Sequence, residues 1–461
     1  MINSLPDNVL LEIFNICRMG EVSNASDSPY FPWGWRRLAH VCRTWRQTIF
    51  ASSHYLNLQL LCTYRTPVRK TLPYLPVLPI IIILPTRSED RGHDEDDDNV
   101  LAALEHPDRV RVVELCVPCS LLEKMTQRPF LALTALLLRS AGPATPVLPD
   151  AFLGGCAPRL QKIYLEDIPF PAAPTLLSSA RDLVEIDFRG IPDTGYISPE
   201  AMVASLAALS RLKYLSLGFQ SPSYPDQIRQ LPTTRAVLPA LILFRFSGLV
   251  RYLEDFVAQI DAPQLNFLEI AYLDESRGED VNFQIPQVCK FIDRSENLTQ
   301  FWRVDVNIQP RDIVVKLAGG WRSLSFELPI RNQGINQVLS QIYGMISNMD
   351  RMYVYSWSPT YSGKLGSGIW WLELFRPFTA VKALDVQYKL SKRVALALNN
   401  VTGDRAAEIL PALELLFLEY QPATSVEEFL AARRKVGRRV TVIRTQKEFI
   451  DRLELDFCFC K

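Results

Sequence analysis

One short string of residues recurs through most of this chain and limits the folds open to it. From Val110 onward, an apolar residue, two variable residues and an apolar-x-apolar pair return twelve times. The copies begin about 23 to 33 residues apart, and a period of this length is typical of proteins built from stacked repeats. Alternate side chains of a strand point to the same face, so each copy predicts a short strand that places its apolar pair in the core.

The segments between the copies are predicted to connect each strand to the next, and the pattern of some of them indicates a helix. Ser198 is a plausible N-cap before Pro199, and an apolar stripe follows to Leu209. One such unit cannot bury its own apolar face, so the units are expected to stack into a curved α/β solenoid with a parallel inner sheet. A doubly wound sheet is the alternative, but open sheets seldom exceed about ten strands. The copies begin at Val110, Leu133, Leu160, Leu183, Leu212, Leu241, Leu265, Leu298, Trp321, Met349, Val381 and Leu413.

The segments on either side of the repeats have separate predictions. Between the N-terminal region and the repeats, strands are predicted at Tyr55–Leu61 and Val77–Leu84, and Glu89–Asp98 is interpreted as a solvated, disordered loop. After the repeats, a helix around Val426–Val436 and strands near Val440–Arg444 and Leu453–Phe459 would cover the end of the solenoid.

One run of basic residues near the C-terminus also receives a structural interpretation. Arg433–Arg439 is interpreted as the solvated end of the helix predicted around Val426–Val436, because cations are favoured at a helix C-terminus.

The first fifty residues predict short amphipathic helices. Pro6 suits the first turn of a helix, where its missing N–H is not needed, and Asp7 adds negative charge at the positive end of the helix dipole. So small a segment cannot bury all of its apolar surface internally, and the rest of the chain or a partner is expected to cover part of it. An ordinary helical hairpin that caps the next domain is the alternative. The apolar residues that follow Asp7 at helical spacing are Val9, Leu10, Ile13 and Phe14.

Residues 4–50 resemble an F-box in both blocks of its consensus. The first block is residues 5–14, with a Leu-Pro opening and an Ile-Phe end, and the second is residues 41–46, Val-Cys-x-x-Trp-Arg. F-boxes bind a Skp-type adaptor and, through it, a cullin–RING ubiquitin ligase of the SCF class. The resemblance implies the following adaptor contacts or their immediate support: Leu5, Pro6, Val9, Leu10, Ile13, Phe14, Val41 and Trp45.

With the repeats behind it, this segment makes the chain similar to the F-box/leucine-rich-repeat proteins, in particular the large families of mushroom-forming fungi. The likeness covers nearly the whole chain and is most specific at residues 4–50. It implies a non-catalytic substrate receptor that needs no cofactor and holds a target protein on its repeats. The implied domains are an F-box at 1–50, a linker with the first strands at 51–109, the solenoid at 110–420 and a cap at 421–461.

The residues that alternate with the core pairs are expected to point out of the sheet, where a target protein could lie. Mixed charge with interleaved tyrosines suits protein recognition, because aromatic residues and arginine carry much of the binding energy of interfaces. The alternative is an ordinary solvated sheet face. The residues predicted for this face are Tyr164, Glu166, Asp187, Arg189, Tyr214, Arg245, Phe267, Arg351, Tyr353 and Tyr355.

Composition narrows the function classes. The formal net charge is zero, whereas a nucleic-acid-binding protein is expected to carry a basic field. Nine cysteines without paired metal-ligand spacing predict reduced thiols in an intracellular protein, cytoplasmic or nuclear. The most apolar stretch, Leu75 to Leu84, is too short to span a membrane.

No catalytic motif supports an enzyme. The four histidines fit neither a zinc spacing nor a nucleophile motif, and no phosphate-binding loop occurs. Two other functions remain open: a repeat scaffold that binds partners outside any ligase with a degenerate F-box, and an enzyme whose site no motif identifies.

Overall fold

The computed structural model shows a mixed α/β protein with two compact units. They comprise Met1–Phe188 with Thr194–Tyr196, and Arg189–Asp193 with Ile197–Lys461. The division falls within strand β6 (Glu185–Ile191). The structure describes residues 5–20, 34–63, 66–84, 93–117, 125, 128–140, 147–149, 152–170, 175–220, 235–272, 284–329, 334–356, 368–401 and 405–445.

The first unit begins with helices and continues as a sheet. Strands β1 to β5 pair in parallel and in chain order, so each strand lies beside the strand that follows it in the sequence. The helices are α1 (Asp7–Gly20), α2 (Gly34–Ala39), α3 (Arg43–Ala51), α4 (Val68–Thr71), α5 (His93–Leu104) and α6 (Thr175–Ser179). The strands are β1 (Leu60–Cys62), β2 (Ile80–Leu84), β3 (Val110–Val117), β4 (Ala135–Ser140), β5 (Lys162–Glu166) and β6.

The second unit alternates strands with helices. The strands are β7 (Tyr214–Phe219), β8 (Ala236–Val237), β9 (Leu243–Gly248), β10 (Ile260–Asp261), β11 (Phe267–Tyr272), β12 (Arg303–Ile308), β13 (Asp312–Gly319), β14 (Arg322–Pro329), β15 (Arg351–Tyr355), β16 (Ala383–Val386), β17 (Leu415–Glu419) and β18 (Thr441–Thr445). The helices are α7 (Pro199–Leu206), α8 (Val250–Val257), α9 (Pro286–Asp293), α10 (Gly334–Gln341), α11 (Tyr343–Ile346), α12 (Gly368–Phe375), α13 (Tyr388–Asn399), α14 (Arg405–Glu408) and α15 (Glu427–Lys435). Apart from β8 and β10, which pair with each other, the strands form one sheet in the order β7-β9-β11-β14-β13-β12-β15-β16-β17-β18.

The prediction that each repeated string forms a strand is confirmed for all twelve copies. The apolar pairs are buried, as with Ile163 and Leu165, each 1 % exposed. The helical return after β6 is also as predicted: the Ser198 hydroxyl accepts the N–H of Ala201 at 3.2 Å and so begins α7. The strand–helix alternation was therefore predictable from local pattern alone.

The sheet of the second unit is not parallel throughout, and this part of the prediction was wrong. β13 was not anticipated, and it pairs antiparallel with both β12 and β14. The physical reason is a tight turn after β13. Gly320 takes a φ of +61°, which glycine adopts without strain and which the first position of a type II′ hairpin requires. A Cβ on Gly319 would lie 2.0 Å from the carbonyl oxygen of Gln300.

Two predictions for the segment before the repeats also need correction. The charged loop predicted at Glu89–Asp98 is helical from His93, as α5, while 89–92 lie outside the described residues. The helix is held by Asn99, whose side-chain oxygen accepts the N–H of Val68 at 3.2 Å. The strand predicted at Tyr55–Leu61 starts only at Leu60, because the chain first turns at Asn57, which has a φ of +46°.

The C-terminal basic run was predicted to be solvated, and this prediction is wrong for Arg433. Arg433 is completely buried, and one of its Nη atoms donates to the carbonyl oxygens of Leu410, Pro411 and Leu413 at 3.2–3.3 Å. Burial lowers the pKa of Arg433, and repulsion by Arg438 lowers it further. The exposed members of the run are Arg434, Lys435, Arg438 and Arg439. The strand predicted near Val440–Arg444 is β18, whereas the one predicted at Leu453–Phe459 lies outside the described residues.

Candidate functional site

Helix α1 carries apolar residues on two faces, and only one face is buried within the protein. Leu10 and Phe14 are 2 % and 1 % exposed. The Phe14 ring packs on Trp45 of α3, with the ring centroids 4.8 Å apart. This buried face fixes the position of α1, since α1 contacts both α2 and α3.

The second apolar face of α1 is open. Val9 and Ile13 are 38 % and 37 % exposed, and Ile16 is 69 % exposed. These three positions repeat at intervals of three and four residues, which places them along one side of the helix. Leu5 before the helix and Val41 in the turn between α2 and α3 are also exposed. We call Leu5, Val9, Ile13, Ile16 and Val41 the docking face.

The Val-Cys-x-x-Trp-Arg string forms one compact local structure that supports α1. Cys42 is the N-cap of α3, and its Sγ accepts the N–H of Trp45 at 3.4 Å. Arg46 Nε donates to the carbonyl oxygen of Ala39 at 2.9 Å, which closes the turn from α2 to α3. The capped helix therefore presents Trp45 to Phe14 while Val41 stays at the surface.

A second buried aromatic residue ties these helices to the start of the sheet. Trp35 is 3 % exposed, and its indole N–H donates to the carbonyl oxygen of Gln59 at 3.3 Å. Its ring lies 6.1 Å from that of Phe50, edge to face. Trp35 was not assigned a role from the sequence, although a large aromatic residue directly after Gly34 was an available signal for a buried anchor.

A tyrosine after α3 makes a direct bond to α1. Tyr55 Oη donates to Glu12 Oε1 at 2.5 Å. This hydrogen bond is the main reason that the pKa of Tyr55 is raised above its usual value. Both side chains are exposed, so the bond mainly orients them beside the docking face.

The eight residues that the F-box resemblance pointed to divide into two groups. Leu5, Pro6, Val9, Ile13 and Val41 are exposed, whereas Leu10 and Phe14 are buried and Trp45 is half-buried. The carbonyl oxygen of Pro6 accepts the N–H groups of Val9 and Leu10, so Pro6 also begins the helix. Ile16 was missed, although its spacing from Ile13 extends the same stripe.

In the first unit, charged and polar side chains on the predicted sheet face pair with one another. Tyr164 Oη donates to Glu166 Oε2 at 2.7 Å, and Arg139 Nε lies 3.0 Å from the same oxygen. Lys162 and Glu185 also pair, at 2.8 Å. Cross-strand register makes Arg139 and Glu166 direct neighbours, so these charges are explained by strand pairing. Asp187 is half-buried on β6.

In the second unit, the predicted face is partly covered. Arg245 pairs with Glu269 across neighbouring strands at 2.6 Å. Tyr353 was expected to be exposed but is 2 % exposed, because Arg303 stacks over its ring at 5.4 Å and Arg351 donates to its hydroxyl at 3.2 Å. The other predicted residues keep some exposure: Arg189 and Tyr214 are exposed, and Phe267, Arg351 and Tyr355 are half-buried.

The same face holds a pocket that was not predicted. Its volume is about 280 Å³, and it lies where β11 and β12 begin and the β13–β14 hairpin turns. It was missed because β13 was missed, and the Gly319-Gly320 pair between two β-rich runs was the available signal. Its lining residues are Phe267, Trp302, Arg303, Lys316, Ala318, Gly319, Gly320, Trp321, Arg322 and Ser323.

Comparisons with known proteins add no family to this geometry. No protein-family model and no curated protein matches the sequence. Within the described part of the chain, no helix combines the length and the apolar character needed to cross a membrane, and no group of three His, Cys, Asp or Glu side chains is arranged to hold a metal ion.

Proposed function

We propose that this chain is the substrate-receptor subunit of an SCF-type cullin–RING ubiquitin ligase. The docking face of α1 would bind a Skp-type adaptor, and the strand–helix repeats would hold a target protein. The observation that carries the proposal is the division of α1 into a buried face, Leu10 and Phe14, and an open apolar face around Val9 and Ile13.

The docking face has the character of a partner surface. Isolated exposed apolar residues are common, but a contiguous set marks an interaction site. Val9, Ile13 and Ile16 follow one side of a helix, and a helix that presents such a stripe suits packing against an apolar groove or helix of a partner. The residues beneath the stripe are packed, so the surface is preorganised and binding would require little reordering.

The chain would contribute positioning and no chemistry of its own. Holding a target near the ligase converts a bimolecular encounter into a local one. The F-box resemblance of residues 4–50 and the regular strand–helix repeats behind them support this division of labour. The domain limits at 50, 109 and 420 stay predictions.

The test is binding of the full chain to a purified Skp-type adaptor. Ile13→Asp should weaken adaptor binding by about a hundredfold, because a carboxylate would be buried against an apolar partner. The matched control is Leu396→Asp, which places the same charge at an exposed leucine of α13 (54 % exposed) and should bind as the wild type does. Melting temperatures of both variants establish that they fold.

The second candidate function is a repeat scaffold with a degenerate F-box, outside any ligase. It would be favoured if the folded wild type and both variants all failed to bind the adaptor. Equal binding by wild type and Ile13→Asp would instead show that the adaptor contacts another surface.

A further inference from the structure

The pocket at the β13–β14 turn has a floor of small residues and walls of aromatic and cationic ones. Cross-strand register places Phe267, Ser323, Ala318 and Arg303 in one row across β11, β14, β13 and β12. Ser323 and Ala318 in the middle of this row have short side chains, so the row sinks between Phe267 and Arg303. The depression therefore follows directly from the antiparallel insertion of β13.

The aromatic wall is partly open to solvent. Trp321 is 58 % exposed and lies edge to face with Phe267, with the ring centroids 6.3 Å apart. Trp302 also lines the pocket. A large indole left exposed at the rim of a pocket is typical of a surface that packs on a ligand, since tryptophan is enriched among the residues that dominate binding.

The charged residues that line the pocket are all cationic, and two of them form no ion pair with a carboxylate in the part of the chain that the structure describes. Arg303 is neutralised by Asp305, 2.8 Å away. Arg322 stacks over Trp321 at 5.4 Å and donates to the Gln300 side-chain oxygen at 3.3 Å, which is uncharged.

Lys316 is the second cation without a partner. It is half-buried and forms no ion pair with any carboxylate in the described ranges. Asp305, which lies opposite it on β12, pairs with Arg303 instead. Lys316 and Arg322 line the same pocket, and cations without a carboxylate partner favour binding of an anion.

We propose that this pocket binds the oxyanion of an acidic side chain, a carboxylate or a phosphate, in a peptide segment of the target protein. Lys316 and Arg322 would bind the anion, and Trp321 with Phe267 would pack on the apolar residue beside it. The inference deepens the proposed function by giving the class of target segment, and it rests on that function for its biological meaning.

The size and setting of the pocket favour a peptide side chain. Its volume of about 280 Å³ lies at the lower limit of the range of about 300–1,000 Å³ that holds drug-sized ligands and cofactors. The rim continues onto the exposed face of Trp321, where an adjoining residue could lie. A nucleic-acid phosphate is disfavoured because the chain has no net positive charge.

The test measures binding of fluorescein-labelled peptide pools to the full chain, with the adaptor absent. Each pool has one fixed central residue with degenerate flanking positions, and the fixed residue is Glu, phosphoserine, Gln or Lys. The Glu pool, the phosphoserine pool or both should bind about tenfold more tightly than the Gln and Lys pools, and this preference should weaken with added salt. A stronger phosphoserine pool would identify phosphate as the ligand group, and a Glu pool of equal or greater affinity would identify a carboxylate.

The variants decide whether the preference arises in this pocket. Lys316→Met with Arg322→Met should abolish it, whereas the control Lys213→Met with Arg434→Met removes two exposed cations elsewhere in the same unit and should keep it. If the first double variant fails to fold, Lys316→Gln alone should reduce the preference, because lysine's ammonium is lost while most of the stem remains.

The proposal would be overturned if all four pools bound alike, or if the acidic preference survived in the folded Lys316 and Arg322 variants. Failure of adaptor binding would leave this result untouched, because the adaptor is not in the assay. Conversely, loss of the acidic preference would leave adaptor binding through the docking face intact.

Discussion

The sulfur of Cys42 accepts the backbone N–H of Trp45 at 3.4 Å and so begins helix α3. The same turn aims the Trp45 ring at Phe14 of α1. The Cys-x-x-Trp spacing therefore has a structural meaning: one residue caps the helix, and the other supports the helix that carries the docking face.

Replacing this cap should destabilise the N-terminal helices. Cys42→Ala should lower the free energy of unfolding by about 0.5–1 kcal/mol, because the first turn of α3 loses its side-chain acceptor. Cys42→Ser should keep or raise the stability, since a hydroxyl oxygen accepts an N–H better than sulfur does. Urea denaturation followed by tryptophan fluorescence measures both variants, and equal loss in the two would argue against a capping role.

Leu10 and Ile13 should respond differently to truncation although both belong to the same helix. Leu10→Ala should cost about 2–5 kcal/mol of stability because it leaves a cavity beneath α1. Ile13→Ala should change stability by less than about 0.5 kcal/mol while weakening adaptor binding. Thermal unfolding and adaptor titration of the two variants separate packing from docking. Similar stability losses would contradict the assignment of the open face.

Glu254 should make stability depend on pH. Burial raises its pKa, although its carboxylate accepts the N–H groups of Gln287 and Val288 at 2.9 and 2.8 Å. A raised pKa means that the folded state binds the proton more tightly than the unfolded state does. Protonation of Glu254 therefore adds to the free energy of unfolding. This contribution is complete below the unfolded-state pKa and is lost as the pH rises through the folded-state pKa.

Glu254→Gln isolates this effect because it cannot ionise. The melting temperature of the wild type minus that of the variant should decrease as the pH rises from about 4 towards neutrality. A difference that stays constant or increases would show that the hydrogen bonds to α9 outweigh burial. The same scan of Glu408→Gln, at an exposed carboxyl of α14, serves as a control for the general acid response of the protein.

Arg433 and Arg434 are adjacent in sequence but should differ in their effect on stability. Arg433→Met should cost about 1–3 kcal/mol, because the carbonyl groups of Leu410, Pro411 and Leu413 lose a buried donor. Arg434→Met removes an exposed charge and should lie within about 0.5 kcal/mol of the wild type. Chemical denaturation of the two variants checks this, and equal values would mean that the buried guanidinium is dispensable.

The strands and several helices could be predicted because they depend on local pattern. The apolar-x-apolar pairs, such as Ile163 with Leu165, already specify which face is buried, and Ser198 with Pro199 specifies where α7 begins. The docking face was predictable in part for the same reason. The pattern could not separate Leu10 from Val9, because both are apolar and only the packing of α1 against α2 and α3 decides which one is covered.

The features that were not predicted depend on pairing between distant segments. The antiparallel β13 has a polar and apolar alternation like its neighbours, so its direction is set by the Gly320 turn and by pairing with β14. The burial of Arg433 depends on carbonyl groups about twenty residues earlier in the chain. The cationic pocket could not be predicted for the same reason, because Lys316 and Trp321 line one pocket only through the β13–β14 hairpin.

The strand order of the second unit also bears on how the chain folds during synthesis. Most strands of this sheet pair with the strand that precedes them in the sequence. β11 is an exception, because one of its two neighbours is β14, and residues 273–321 separate the two strands in the sequence. A nascent chain that stalls within this interval would leave the edge of β11 without its partner, and unpaired edges recruit other strands. This part of the sheet can therefore close only after residues 322–329 have been synthesised and have left the ribosome.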